Sequence, residues 1–154
     1  MSYFDWLTGS LREKLAERAI GEPVALRGYV QIADDHGLLI PTLAATVVMA
    51  ETWFENVGPT VYAQGDVREG SVSVLATFTN GRIAVLSSDL VRPSTALEVP
   101  SVDLILIGNH GTMQFSDQPG NDGIAVDAAP SDHPAQRRIA TLIEDSLRKR
   151  IVTP

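Results

Sequence analysis

Two apolar runs, Ser71 to Thr79 and Arg82 to Ser88, meet at Asn80-Gly81, and this constrains the fold more than any other stretch. Asn-Gly suits the left-handed conformations of a two-residue type I′ turn, so the runs are expected to pair as an antiparallel hairpin. On the first arm Val72, Val74, Ala76 and Phe78 share one face. On the second arm Ile83 and Val85 share a face. Leu75 on the first arm, and Ala84 with Leu86 on the second, make the opposite faces apolar as well. A sheet apolar on both sides packs helices on one face and something else on the other.

The flanking segments supply the rest of a sheet. Pro23 to Ala33 alternates Val24, Leu26, Gly28, Val30 and Ile32 with Ala25, Arg27, Tyr29 and Gln31, and Thr60 to Gln64 is a short strand. Val102 to Ile107 is a further strand, continued by Met113 to Phe115 after a glycine turn. Three helices are expected. Ser10 and Glu13 fit a capping box before Leu11, Leu15 and Ala19, with Gly21 as the C-terminal cap. Pro41 opens a helix with Leu43, Val47, Ala50 and Phe54 on one stripe, ended by Gly58-Pro59. Pro134 opens the last helix, whose stripe is Ile139, Leu142, Ile143 and Leu147. The sum is α+β, a mostly antiparallel open sheet with helices packed on one face. Residues 1–9 are expected to form an N-terminal arm and residues 10–154 a single α+β domain. Phe4, Trp6 and Leu7 in that arm either fold back on the core or dock on another chain.

The bulk properties exclude several functions. Twelve Lys and Arg against nineteen Asp and Glu give a net charge of −7, which repels a nucleic acid. Arg148-Lys149-Arg150, the one basic cluster, complements a helix C-terminus. No cysteine is present, so disulfides, thiolate nucleophiles and Cys-type zinc sites are excluded together. The first residues lack a signal-peptide pattern, and the apolar run from Gly37 to Ala50 contains Pro41 and is shorter than the ~20 residues a membrane span needs. The expectation is a soluble, cytoplasmic protein with neither nucleic acid nor membrane as partner.

Candidate site residues are few. Asp34, Asp35 and His36 are metal-type ligands that His110 or His133 could join, but adjacent carboxylates in a polar turn are ordinarily just solvated. The glycines around Asn109-His110 either present backbone amides to an anion or make a tight strand connection. Ser87-Ser88 lack the Gly-x-Ser-x-Gly elbow of a hydrolase. Asp117, Asp122 and Asp127 lack the spacing of a calcium loop. No catalytic, cofactor-binding or metal residue is therefore assigned.

The order of these segments resembles the C-terminal sheet domain of the glucose–fructose oxidoreductase/inositol dehydrogenase (Gfo/Idh/MocA) family. The resemblance starts at Ala19-Ile20-Gly21-Glu22-Pro23-Val24, similar to the family's junction with its nucleotide-binding domain. It passes through Val61-Tyr62-Ala63 and the Phe78 to Ser88 hairpin, and ends at Gly108-Asn109-His110-Gly111-Thr112. It implies a subunit interface on the open face of the sheet. Two family features are missing. No strand–Gly-x-Gly-x-x-Gly–helix unit is present, nor room for one before Ser10, and the family's Glu-Lys-Pro lysine belongs to that missing half. The His and Asp that the family carries ahead of a Trp fall, counting back from Trp53, at Thr46 and Met49, which cannot exchange a proton near neutral pH.

The resemblance thus implies a non-catalytic, oxidoreductase-like C-terminal domain without a cofactor of its own. Such a domain would serve as a homo-oligomer, or as a heteromer with a full-length oxidoreductase. The alternatives are a sugar- or polyol-binding module, with Arg27 and Gln31 as candidate polar contacts, and the accessory half of a split NAD(P)-dependent oxidoreductase.

Overall fold

A computed structural model describes residues 2–17, 19–33, 35–91, 100–117 and 132–154. Helix α1 (Tyr3–Ala16) leads into strand β1 (Pro23–Ile32). A 3-10 turn (His36–Leu38) and helix α2 (Leu39–Phe54) follow. Next come β2 (Thr60–Asp66), β3 (Ser71–Thr77), β4 (Ile83–Leu90), β5 (Ser101–Gly108), β6 (Thr112–Asp117) and helix α3 (Pro134–Lys149). The six strands form one sheet in the order β2-β3-β4-β1-β5-β6. Every neighbouring pair is antiparallel except β1 with β4, which run parallel. The expected class, an α+β fold on a mostly antiparallel sheet, is the one observed.

All three helices pack on one side. α2 lies across β1, β3 and β4, with α1 against its outer flank and α3 between it and β2. Sandwiched in this way, α2 is buried almost all round, from Leu39 and Leu43 to Ala50, Trp53 and Phe54. The register decides which half of each two-sided strand faces the helices. Val72, Val74, Ala76 and Phe78 are buried there with Ala84 and Leu86, whereas Leu75, Ile83 and Val85 face away.

The N-terminal residues differ from expectation. Ser2, in an extended conformation, accepts from the Asp5 amide while Asp5 reaches back to the Ser2 amide, so the capping box sits here and not at Ser10 and Glu13. The helix therefore begins at Tyr3, and residues 3–9 are its first half. Phe4, Leu7 and Leu11, at helical spacing, are at most 1% exposed against the core. Of the two possibilities open for this segment, folding back on the core is the one realised. α1 also ends early, with its C-cap at Glu17, and Gly21 instead takes φ +72 beneath the β5–β6 turn.

The β3–β4 turn is not type I′. Phe78 accepts from Gly81 N at 3.0 Å and donates to Arg82 O at 2.9 Å, so the loop holds three residues and only Gly81 is left-handed. The Asn80 side chain accepts from Arg82 N, which holds Asn80 right-handed and leaves the αL position of a bulged hairpin to glycine.

One outer edge of the sheet is closed. Beyond α3 the chain turns back at Arg150, and Thr153 exchanges both backbone hydrogen bonds with Val61 at 2.7 and 2.8 Å. The Ser146 hydroxyl donates to Ile151 O and accepts from Ala63 N, satisfying an edge amide that would otherwise be left bare.

Candidate functional site

Two surfaces carry unassigned chemistry, one on each side of the sheet. On the helix side a cavity of about 230 Å³ opens where the first turns of α1 and α3 meet the middle of α2. Phe4, Ala45, Val48 and Met49 give it apolar walls; Asp5, Thr8, Thr52, His133 and Gln136 supply the polar groups. Several of these are already engaged. Thr8 Oγ1 donates to Phe4 O at 2.6 Å, Thr52 Oγ1 donates to Val48 O, and His133 Nδ1 accepts from Ala135 N as the N-cap of α3. The lining comes from three helices far apart in sequence, which is why no local motif announced it.

Thr46 and Met49, the places where the resemblance puts a His and an Asp, are both buried on α2. Thr46 Oγ1 donates to Leu43 O at 2.8 Å, a bond within its own helix, and Met49 contributes its thioether to the cavity wall. Neither can serve as a general acid or base. Nearby, Glu51 ties the helices together: its carboxylate accepts from Arg138 Nη2 at 2.7 and 3.0 Å and from Gly58 N at 2.9 Å.

The open side of the sheet is divided along the strand direction. Reading across β2-β3-β4-β1-β5-β6, one row runs Tyr62, Leu75, Val85, Arg27, Ile105 and Gln114. Beside it, toward the Asn80-Gly81 turn, lie Ile83 and Ile107. Toward the opposite end the rows become polar. Tyr29 Oη donates to Asp89 Oδ2 at 2.9 Å, Ser71 donates to the other oxygen of Asp89, and Ser73 meets Ser87 at 2.8 Å. Desolvation and then the bond to Asp89 raise the Tyr29 phenol above its ordinary value.

Arg27 and Gln31 both point to this open face, two rows apart. Gln31 Nε2 donates to Tyr29 Oη, whereas Arg27 makes no ion pair among the described residues and lies between Val85 and Ile105 in its row. The Tyr29 row lies between them. The Tyr29–Asp89 pair was not legible locally, because it depends on the parallel contact of β1 with β4.

The remaining candidates resolve simply. The Asn109 and His110 amides are already bonded to Glu22 O and Ile20 O, each at 3.0 Å, so they hold the β5–β6 turn against the 19–22 segment and are not open to an anion. Asp35 caps Gly37 N, and His36 Nε2 lies 3.2 Å from Arg68 O. Ser87 is on the open face and Ser88 is buried beneath the helices. Among the described residues no three His, Asp or Glu side chains gather as metal ligands. Asp34, Asp122 and Asp127 lie outside the described residues, as does the side chain of Asp117.

No family model and no curated protein sequence matches the chain. Solved structures do match. A Thermotoga maritima protein described as an oxidoreductase superposes with a TM-score of 0.68 at 14% identity, over 94% of this chain and 58% of that one. Scyllo-inositol dehydrogenase from Lactobacillus casei, with bound NAD(H) and scyllo-inositol, matches with a TM-score of 0.58 at 14% identity, over 90% and 49%. Myo-inositol 2-dehydrogenase from Lactobacillus plantarum gives 0.58 at 11% identity, over 90% and 51%. The fold is that of the Gfo/Idh/MocA-type dehydrogenases. The chain spans only about half the length of these structures. Within this dehydrogenase-like fold the 3-10 turn and α2, residues 36–54, are long and apolar enough to cross a membrane, but two-thirds of the stretch is buried as a core helix.

Proposed function

We propose that the chain is a non-catalytic, oxidoreductase-like domain that works as an assembly subunit through its open sheet face. One observation carries this reading. Leu75, Ile83, Val85 and Ile107 are 38–44% exposed on a single face of a regular sheet, in a chain whose other face is sealed by three helices. A contiguous apolar patch of that kind marks a protein interface. Thr46 and Met49 agree with it, since neither supplies proton-transfer chemistry. The partner is a second copy or a full-length oxidoreductase, and cytoplasm suits a cysteine-free chain. Light scattering of the pure protein tests the reading. Strictly monomeric behaviour at high concentration, with no capture of a full-length oxidoreductase, rejects it.

The cavity favours a second reading, a module that binds a small polyol or sugar. At about 230 Å³ with mixed polar and apolar walls, it suits a ligand near the lower limit of small-molecule sites. A thermal-shift screen with sugars, polyols and nicotinamide cofactors checks it. A shift with NAD would instead favour the accessory half of a split oxidoreductase, for which a pull-down of the missing half is the direct test.

A further inference from the structure

We propose that Asn80 is a latent site of covalent modification by cyclic-imide deamidation, closed in the folded protein and opened when the β3–β4 tip releases the end of α2. The site is independent of whatever the open sheet face binds.

The chemistry needs nothing beyond the chain and water. Gly81 N gives its proton to a solvent base and attacks Asn80 Cγ. The new N–Cγ bond closes a cyclic imide, while the carboxamide C–N bond breaks and its nitrogen leaves as ammonia with a proton taken from water. Water then adds to one imide carbonyl and opens the ring, leaving an aspartate or its β-linked isomer at position 80. Asn followed by Gly favours the attack, because glycine has no side chain to obstruct it. Both residues are exposed, and apart from chain neighbours nothing described lies within 4 Å of where a Gly81 Cβ would be. Solvent access alone would make Asn80 labile.

The hydrogen bonds of the turn oppose this. Once the Gly81 amide loses its proton, the attacking electron pair lies where the N–H bond was. That bond points at Phe78 O, 3.0 Å away, so the pair faces an oxygen and not the Asn80 carbon. Asn80 Oδ1 also accepts from Arg82 N at 3.2 Å, which fixes the carboxamide over the Arg82 amide. Ring closure requires the 80–81 peptide to rotate, which breaks the first bond and displaces the second. The loss of two ordinary hydrogen bonds makes the reactive conformation about 30-fold rarer than in an open chain.

A clasp on α2 restrains that rotation. Arg82 Nη1 donates to Phe54 O at 2.8 Å, and Asn56 Nδ2 donates to Thr79 Oγ1 at 3.1 Å. The Phe78 ring, 2% exposed, stands edge-on to Phe54 with centroids 5.1 Å apart. Phe78 thus holds Gly81 through its carbonyl while its ring is locked in the core. Release of the tip from residues 54–56 is the gate. The β-linked product adds a backbone carbon to the three-residue loop, so Phe78 and Arg82 cannot pair again in register and the clasp stays open. One neutral amide has become a carboxylate, which takes the net charge from −7 to −8.

Peptide mapping by mass spectrometry, at mildly alkaline pH with and without urea, follows the loss of Asn80 in the full chain. The folded protein should deamidate about 30-fold more slowly than the unfolded chain, with hydrogen exchange at Gly81 slowed comparably. Arg82→Ala and Asn56→Ala each remove a clasp contact and keep the Asn-Gly pair. Each should raise the folded rate about 5-fold relative to its own rate in urea, with thermal melting to confirm folding. Equal rates in the folded and unfolded chains overturn the proposal. So does a faster folded rate, which would mean that the turn presents Gly81 N to the carbon. Protection that neither variant lowers overturns the gate at α2.

Discussion

Replacing Arg138 with alanine strands a carboxylate inside the helix layer. Glu51 is 5% exposed and holds three hydrogen bonds, two from Arg138 and one from Gly58 N. Breaking a fully buried pair from one side costs ~3–5 kcal/mol, because the remaining charge is uncompensated. Two features reduce that figure here. The Arg138 side chain is 38% exposed, so water already screens the pair, and the Gly58 amide still faces the carboxylate afterwards. The expected loss for Arg138→Ala is therefore about 2–3 kcal/mol, or roughly 5–10 °C in melting temperature for a chain of this size. Glu51→Gln removes the charge but keeps an oxygen for Gly58, and Arg138 can turn to solvent, so it should cost only about 1 kcal/mol. The combination separates the electrostatic argument from simple loss of packing. In Arg138→Ala with Glu51→Gln no bare charge remains, and the double variant should be more stable than Arg138→Ala alone. Urea unfolding with matched slopes measures all three. A double variant as unstable as the sum of the singles would refute the reasoning.

Other outcomes follow from single contacts. Gly108→Ala should destabilise by more than about 3 kcal/mol or prevent folding, because its Cβ would lie 2.0 Å from the Ile20 carbonyl oxygen and only backbone movement relieves that. Gly81→Ala, with open space around it and φ +80, should cost only about 1 kcal/mol of left-handed strain; calorimetry compares the two. Ser146→Ala unpairs Ala63 N and Ile151 O at the β2 edge, should cost ~1–3 kcal/mol, and should speed hydrogen exchange at Ala63. The raised Tyr29 phenol favours the neutral form in the folded protein. Its contribution is full below the unfolded value of 10.0 and is lost as pH rises through the folded value. Ultraviolet titration against a Tyr29→Phe control should show the phenol moving down in Asp89→Asn.

The alternation of Val72 to Phe78 and the stripe from Ile139 to Ile143 made most elements legible, since both depend on neighbours within a few residues. Local chemistry was also enough to place the glycine at the β3–β4 turn, although Asn80 chose the bulged form through a bond to Arg82. The first turn of α1 was missed, because Ser10 and Glu13 imitate the capping pattern that Ser2 and Asp5 actually form. The absence of imidazole and carboxylate between Thr42 and Ala50 was plain from residue identity alone.

Residue identity and short-range periodicity thus specified the strands, the helices and a Thr42 to Ala50 stretch without His, Asp or Glu. They could not say which of two apolar strand faces would meet the helices, nor that β4 would lie parallel to β1, nor that Thr153 would close the edge of β2. Those outcomes depend on contacts between residues tens of positions apart, where burying one face of β3 and β4 under α2 leaves the other exposed. The two-sided hairpin supplied apolar surface for two interfaces. Packing of α2 assigned one to the core and left Val85, Leu75 and Arg27 on the other, because a helix layer can cover a sheet from only one side at a time.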